Sequence, residues 1–277
     1  MSEDRVDLCF DLSTLAGDPV LARHRVRAPE FAVPGDAPPG AVEIAREVWE
    51  DRARSEYIGV MVTRRLHGLL VDLNAPLDLQ EVAVALTLQE QRHASLCAAA
   101  ARALGSDCVL SFDVDELRQA RSGDSLSAAR EDTLTMFAAT FAVGEVAALA
   151  LLEAELAAVP ASPFRDALGL IASDEVLHAR LGPLVLAAAR RGETAEWLPW
   201  PGDAVTRRLV QGQLGAMRAR DVVEADHVAR EAADPDLGAW LPRLGVRSPA
   251  AFRASYFEAL DQAVPERLRK FGLDALA

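Results

Sequence analysis

Two copies of one short pattern carry the chemistry in this chain. Glu90-Gln91-Arg92-His93 and Glu175-Val176-Leu177-His178 both read Glu-x-x-His. On a helix, residues three apart share a face, so each copy aims a carboxylate and an imidazole at one point. A lone acid precedes each copy, Glu56 before the first and Glu145 before the second, in its own apolar stretch. The order Glu, Glu-x-x-His, Glu, Glu-x-x-His matches a ligand set for two metal ions held between four helices. Glu56 precedes Glu90 by 34 residues, and Glu145 precedes Glu175 by 30. In antiparallel hairpins with short turns, such similar separations set each lone Glu level with its partner motif. Glu50 is the alternative on the first helix; Glu56 is preferred because Ile58, Val60, Met61 and Val62 follow it.

The helical stripes place these acids on faces that should be buried. Phe137, Phe141, Glu145, Ala148 and Leu152 form one stripe; Ala83, Leu86, Glu90, His93 and Cys97 form another; Leu168, Ile171, Glu175, His178 and Gly182 form a third. An unpaired buried carboxylate costs several kcal/mol, and four close together repel. Two divalent cations remove both problems. Four carboxylates and two imidazoles, with no thiolate, suit two iron ions, or a manganese/iron pair. A metal-bound His needs its outer ring N–H held. Asp174 is expected to hold His93 across the helices, Gln89 to hold His178, and Arg92 to pair with Asp174. The alternative leaves Asp174 and Arg92 as solvated helix-face residues.

These residues must be positioned by long helices. Helical patterning is expected over 41–73, stopping at Asn74-Ala75-Pro76, and then to about 104, with Asp78 as cap and Gly105 as stop. Residues 105–124 show no strong helical period. A third helix is expected over 125–159, ending at Pro160, and a fourth from Pro163 to about 191, with Gly192 as stop. Two short connections and one long one give two antiparallel hairpins joined by a crossover. The predicted class is therefore all-α: a ferritin-like four-helix bundle over 41–191. Residues 1–40 form an irregular arm with at most a short helix, and 192–277 a C-terminal helical extension packed on the bundle. Within the extension, helices are expected over 203–233 and 248–264.

Bulk properties narrow the function. The chain has 277 residues, 51% of them hydrophobic, which suits a globular protein. Its net charge of −13 argues against nucleic acid or an anionic membrane as partner. Cys9, Cys97 and Cys108 have no metal-knuckle spacing and read as reduced thiols, in keeping with a cytoplasmic location. The N-terminus lacks a signal-peptide layout. The apolar run 136–152 is interrupted by Glu145 and is short of the roughly 20 residues of a membrane span.

The quoted set resembles the ferritin-like di-iron carboxylate superfamily over about residues 41–191. Glu90-Gln91-Arg92-His93 and Asp174-Glu175-x-x-His178 are similar to the Glu-x-Arg-His and Asp-Glu-x-x-His forms of bacterial multicomponent monooxygenases. The resemblance implies dioxygen chemistry at a carboxylate-bridged di-iron centre. Departures from its subfamilies are equally plain. Ile171 stands where arylamine N-oxygenases carry an additional His, and the cysteine-rich module of rubrerythrins is missing. The arm and the extension fit a cage ferritin poorly. Tyr57 lies about 100° round the helix from Glu56, so it is read as packing and not as a radical tyrosine.

The functional expectation is a di-iron oxygenase or oxidase that activates dioxygen to oxidise a small organic substrate, with electrons from an external donor and a homodimer as an admissible assembly. The alternatives are an iron-handling protein and a helical scaffold with a vestigial site. Phe137, Phe141, Thr140, Gly144 and Cys97 are candidate pocket residues, with core packing as the competing role. His67 and His24 are read as surface residues, His227 as a polar helix-face residue or an extra ligand, and Trp197 and Trp200 as packing.

Overall fold

The computed structural model describes residues 5–9, 18–19, 26–115 and 122–277. His24 and much of the arm lie outside them. The described residues are 73% helix against 4% strand, which sustains a helical class while adding one small sheet.

Helix α1 (Pro39–Asp72) turns at Asn74 into α2 (Leu77–Ala103), and the two pack along their lengths. Pro39 opens α1 in the first turn, where a missing N–H costs nothing. Asp78 does not cap α2. The N-cap is Pro76, and the Asp78 carboxylate accepts instead from the Leu79 N–H within the first turn. Gly105 takes a left-handed φ of 97° just past α2. Helix α3 (Leu126–Ala158) is capped by Ser125, which accepts from the Ala128 N–H, and α4 (Pro163–Arg190) by Ser162, which accepts from the Arg165 N–H. α3 and α4 form the second hairpin. α1 and α3 run antiparallel, with Arg65 bonded to Asp132 near one end and Arg52 to Glu155 towards the other.

Three expectations need correction. The arm and the crossover are not wholly irregular. β1 (Arg5–Cys9) pairs antiparallel with β2 (Val109–Asp113), with Arg5 opposite Asp113 and Cys9 opposite Val109. β2 buries Leu110 and Phe112 and exposes Val109 and Asp113, the period of two that a strand on a core surface shows. Phe112 lies under the Arg54 guanidinium and against Tyr57, so the crossover strand is seated on α1 beside Glu56.

The second correction is inside α3. Met136–Gly144 is wound as a π-helix, and the α-helix resumes at Glu145. The wider turn is accommodated by Gly182 of α4: a Cβ there would lie 2.5 Å from Ala142 N and 2.7 Å from Phe137 O. The third correction concerns the extension. In place of one helix over 203–233 there are α5 (Asp203–Arg218), a break, and α6 (Ala225–Ala233). No Gly or Pro marks the break. Tertiary packing imposes it: the Tyr256 hydroxyl donates to the Met217 carbonyl at the end of α5, and His227 and Arg230 fasten α6 to Glu47 and Glu43 of α1. α7 (Pro235–Trp240) and a 3-10 turn (Leu241–Leu244) follow. α8 (Pro249–Glu258) continues through a π segment (Ala259–Ala263) into α9 (Val264–Lys270), with Pro265 just past the π segment.

Among the described residues, the buried apolar side chains form two separate clusters. One joins Leu66, Leu70, Leu86, Phe137, Phe141 and Leu186 to the C-terminal helices. The other joins Ile44, Trp49, Leu96, Phe112, Phe164 and Leu168 to residues 237–246. Between them, α1, α2 and α4 contribute Glu56, Glu90, His93, Glu175 and His178. α3 has a window apolar enough to cross a membrane, but 56% of that window is buried inside the protein and Glu145 interrupts it.

Candidate metal centre

Four helices converge on the layer between the two clusters. α1 brings Glu56; α2 brings Glu90 and His93, one turn apart; α3 brings Glu145 at the first residue after its π segment; α4 brings Glu175 and His178. Both imidazoles are fully buried, with ring centroids 5.9 Å apart. Each turns Nδ1 inward. His93 Nδ1 lies 3.2 Å from Glu56 Oε2 and 3.4 Å from Glu175 Oε1. His178 Nδ1 lies 3.2 Å from Glu90 Oε1, 3.5 Å from Glu175 Oε2 and 3.9 Å from Glu145 Oε2. The donor atoms therefore fall into two groups, Glu56–His93–Glu175 and Glu90–Glu145–Glu175–His178, and Glu175 reaches both with different oxygens.

The outward nitrogens are tied into one hydrogen-bond chain. His93 Nε2 lies 3.0 Å from Asp174 Oδ2, and His178 Nε2 lies 3.1 Å from Gln89 Oε1. Gln89 closes the chain by donating its amide N–H to Asp174 Oδ1 at 3.3 Å, and Arg92 also donates to Asp174. A carboxylate accepts only, so His93 must donate from Nε2, and the Gln89 amide orientation follows from its bond to Asp174. Both Nε2 atoms thus carry protons and both Nδ1 atoms face the interior, that of His93 becoming a free lone pair once the proton held there by the carboxylates is displaced. Burial pushes the Asp174 carboxyl up, but its bonds to Arg92 and His93 outweigh that and hold it below the ordinary carboxylate value.

Electrostatics at the centre are strained in the opposite direction. Burial, together with repulsion from Glu56 and Glu175, drives the Glu90 carboxyl well above its usual range; burial and repulsion from Glu175 and Glu90 do the same to Glu145. Burial alone would lower the His93 imidazole, yet the Glu175 and Glu56 carboxylates outweigh it and hold it up at about 11. Glu175 Oε2 and His178 Nδ1 are buried with no hydrogen-bond partner among the described residues. Four carboxylates around two acceptor nitrogens, with buried lone pairs unanswered, fit hard divalent cations. No family model, curated protein or solved structure matches this chain. The chemistry is therefore read from the geometry.

Exposure differs between the acids in a way that orients the centre. The Glu90 and Glu175 side chains are 4% and 5% exposed, whereas Glu56 and Glu145 keep 19% and 16%. The accessible side is therefore the α1/α3 side.

The remaining candidate residues are dispersed. Phe137 and Phe141 are fully buried and stack at 6.2 Å within the first apolar cluster, so they fill the core. Cys97 is fully buried one turn past His93, and burial raises its thiol well above the ordinary value. Thr140 is half-buried in the π segment. Gly144 ends that segment, and a Cβ there would meet only Ala139 O at 3.8 Å, so close packing does not require a glycine at this place. His67 is half-buried on α1, outside both donor groups. His227 lies away from the centre with Nε2 2.6 Å from Glu47 Oε2. Trp197 is buried, and its carbonyl accepts from Arg130, while the Trp200 indole N–H donates to Asp203.

Two residues that matter carry no motif. Gly59 faces Glu90, and a Cβ there would fall 2.2 Å from Glu90 Oε2. Gly182 admits the π segment that precedes Glu145. A glycine on a motif-bearing stripe, such as Gly182 in line with Glu175 and His178, is the one signal that could have pointed to such a contact.

Proposed function

We propose that this chain is a ferritin-like di-metal carboxylate protein that activates dioxygen to oxidise a small organic substrate. The reading rests most heavily on one observation: two buried imidazoles present Nδ1 to a shared carboxylate while a single hydrogen-bond chain holds both Nε2 protons. A scaffold has no use for that arrangement, because burying four acids without cations opposes folding. The two-hairpin order with a long crossover is the connectivity of the ferritin-like bundles.

Glu56 and His93 would hold one ion and Glu90, Glu145 and His178 the other, with Glu175 reaching both. Two iron ions bound there would supply the electron transfer to dioxygen and the oxidising power. The chain's own groups do the rest. Asp174 and Gln89 fix the imidazole orientations. Arg92 balances the Asp174 charge. The two apolar clusters exclude water from either side, and the more exposed Glu56 and Glu145 leave the α1/α3 side as the approach for substrate. With three cysteines in no cluster spacing, the chain lacks an iron–sulfur relay of its own, so the electrons come from an external donor.

The test is metal analysis joined to spectroscopy. Protein loaded anaerobically with Fe(II) should hold two ions and develop a new visible absorption when exposed to dioxygen. Glu90→Ala and Glu175→Ala should lose both properties. Unchanged metal content in the two variants would refute the centre; retained metal with no response to dioxygen would refute the oxidase reading alone.

A further inference from the structure

A cavity of about 370 Å³ opens on the α1/α3 side, lined by none of the proposed ligands but reaching Ser55 next to Glu56. Its α1 wall runs from Ile44 to Ser55, the residue directly before Glu56. Its α3 wall is Leu151 and Glu155, six and ten residues past Glu145, or about 9 and 15 Å along the axis. The far wall comes from the extension: the break between α5 and α6 supplies Val222, and the chain around the start of α8 supplies Arg247 and Phe252. The break that no sequence signal marks is thus what closes this chamber.

Most of the lining surface is apolar; its charged members, Asp51, Glu155 and Asp221 against Arg52, Arg220 and Arg247, balance in sign but are not equally satisfied. Arg52 donates to Glu155 and, at 3.3 Å, to the Gly245 carbonyl, so that pair is internally compensated at the inner end of the cavity. Arg247 is different. One terminal nitrogen donates to the Ser255 hydroxyl and its charge also acts on the Glu155 carboxyl, but among the described residues it closes no ion pair, and its Nε is buried without an acceptor. A partly buried guanidinium that closes no ion pair suits an anion with planar oxygens. A volume near the lower end of small-molecule sites suits a molecule of modest size.

We propose that this cavity binds an amphipathic organic acid, its carboxylate on Arg247 and its apolar body against Val48, Leu151, Val222 and Phe252, and that acids of this shape are the substrate class of the adjacent centre. The second half rests on the oxidase reading given above; the first does not.

Binding is tested on the metal-free full chain by calorimetry with octanoate and 3-phenylpropanoate, and with the matching alcohols. The acids should saturate one site and bind at least about 10-fold more tightly than the alcohols. Arg247→Gln should weaken the acids by about 10- to 100-fold and leave the alcohols unchanged. Val48→Trp, which fills the apolar end, should weaken acids and alcohols alike. Acids that fail to saturate, or that bind Arg247→Gln as tightly as the native chain, overturn the proposal. The substrate role has its own readout: octanoate should perturb the visible spectrum of Co(II)-loaded protein. Saturable acid binding with an unperturbed spectrum overturns that role. A chain that binds acids and takes up no metal overturns the oxidase reading and leaves the acid site standing.

Discussion

Gly59→Ala is a one-carbon test of the centre. On the native backbone the new methyl would lie 2.2 Å from Glu90 Oε2 and 2.5 Å from Cδ. Ordinary contact begins near 3.5 Å, so the carboxylate must retreat by about 1 Å. Glu90 is buried with little room to move, which gives an overpacking cost of about 1–3 kcal/mol. Replacing Gly by Ala inside a helix returns about 1 kcal/mol. The net loss of stability is then about 0–2 kcal/mol, a fall of at most several degrees in melting temperature for a chain of this size. Metal binding should suffer far more. Ligand distances are tolerated only within about 0.2 Å, and Glu90 Oε1 now lies 3.2 Å from His178 Nδ1. Displacing it should weaken the His178 half-site by at least 10-fold and drop the stoichiometry from two ions towards one. The assay is metal content after equilibrium dialysis against graded Mn(II) or Co(II), with melting of the metal-free protein as control. Two ions retained at native affinity, with stability raised as at an unobstructed helical glycine, would refute the assignment of Glu90.

Further outcomes follow from the same geometry. Asp174→Asn keeps the shape but removes the charge that holds His93 Nε2–H, so metal affinity should fall about 10- to 100-fold, read by the same dialysis. In the metal-free protein His93 holds its proton at neutral pH and burial and mutual repulsion raise the Glu90 and Glu145 carboxyls, so metal uptake should release at least one proton per chain and affinity should rise with pH; calorimetry in buffers of different ionisation enthalpy measures the release, and a release of zero would contradict it. Asp132 is raised by burial but lowered further by Ser122 and Arg65, giving a folded value below 3.8; its stabilisation is present above that ordinary value and lost as pH falls through the lowered one. Asp132→Asn should therefore cost about 1–3 kcal/mol at neutral pH through the lost charged hydrogen bonds, with the difference shrinking in acid denaturation curves below about pH 4. Gly182→Ala pushes a methyl against the α3 backbone, which cannot swing aside, so it should destabilise by about 1–3 kcal/mol in urea melts.

Much of the centre was legible because its determinants are local. Glu90 with His93, and Glu175 with His178, need only the helical repeat to share a face, and the matched hairpin spacings set Glu56 and Glu145 at the same level. The places of Asp174 and Gln89 followed from their standing immediately before each motif Glu. The helix stops at Gly105 and Gly192 were readable because each needs a left-handed φ. What escaped depends on distant partners. β1 and β2 are five-residue strands about a hundred positions apart, and neither shows its pairing alone. The π segment of α3 exists because Gly182 on another helix gives it room. The end of α5 is set by Tyr256 and by the grip of α6 on α1, while 219–224 in isolation continues a helical composition. Phe137 and Phe141 looked like pocket walls from their stripe; they fall on the closed side of Glu145, and the cavity on the other.

The split core sets how the molecule holds together. Among the described residues no buried apolar cluster spans the ionisable layer, so the two ends are joined chiefly through α1, α2, α3 and α4. Cations in that seam would act as rivets between two half-proteins. With them, the chain should melt as one unit. Stripped of them, the half around Phe137 and the half around Trp49 should open at different denaturant concentrations, and amide exchange should rank them as two separate steps.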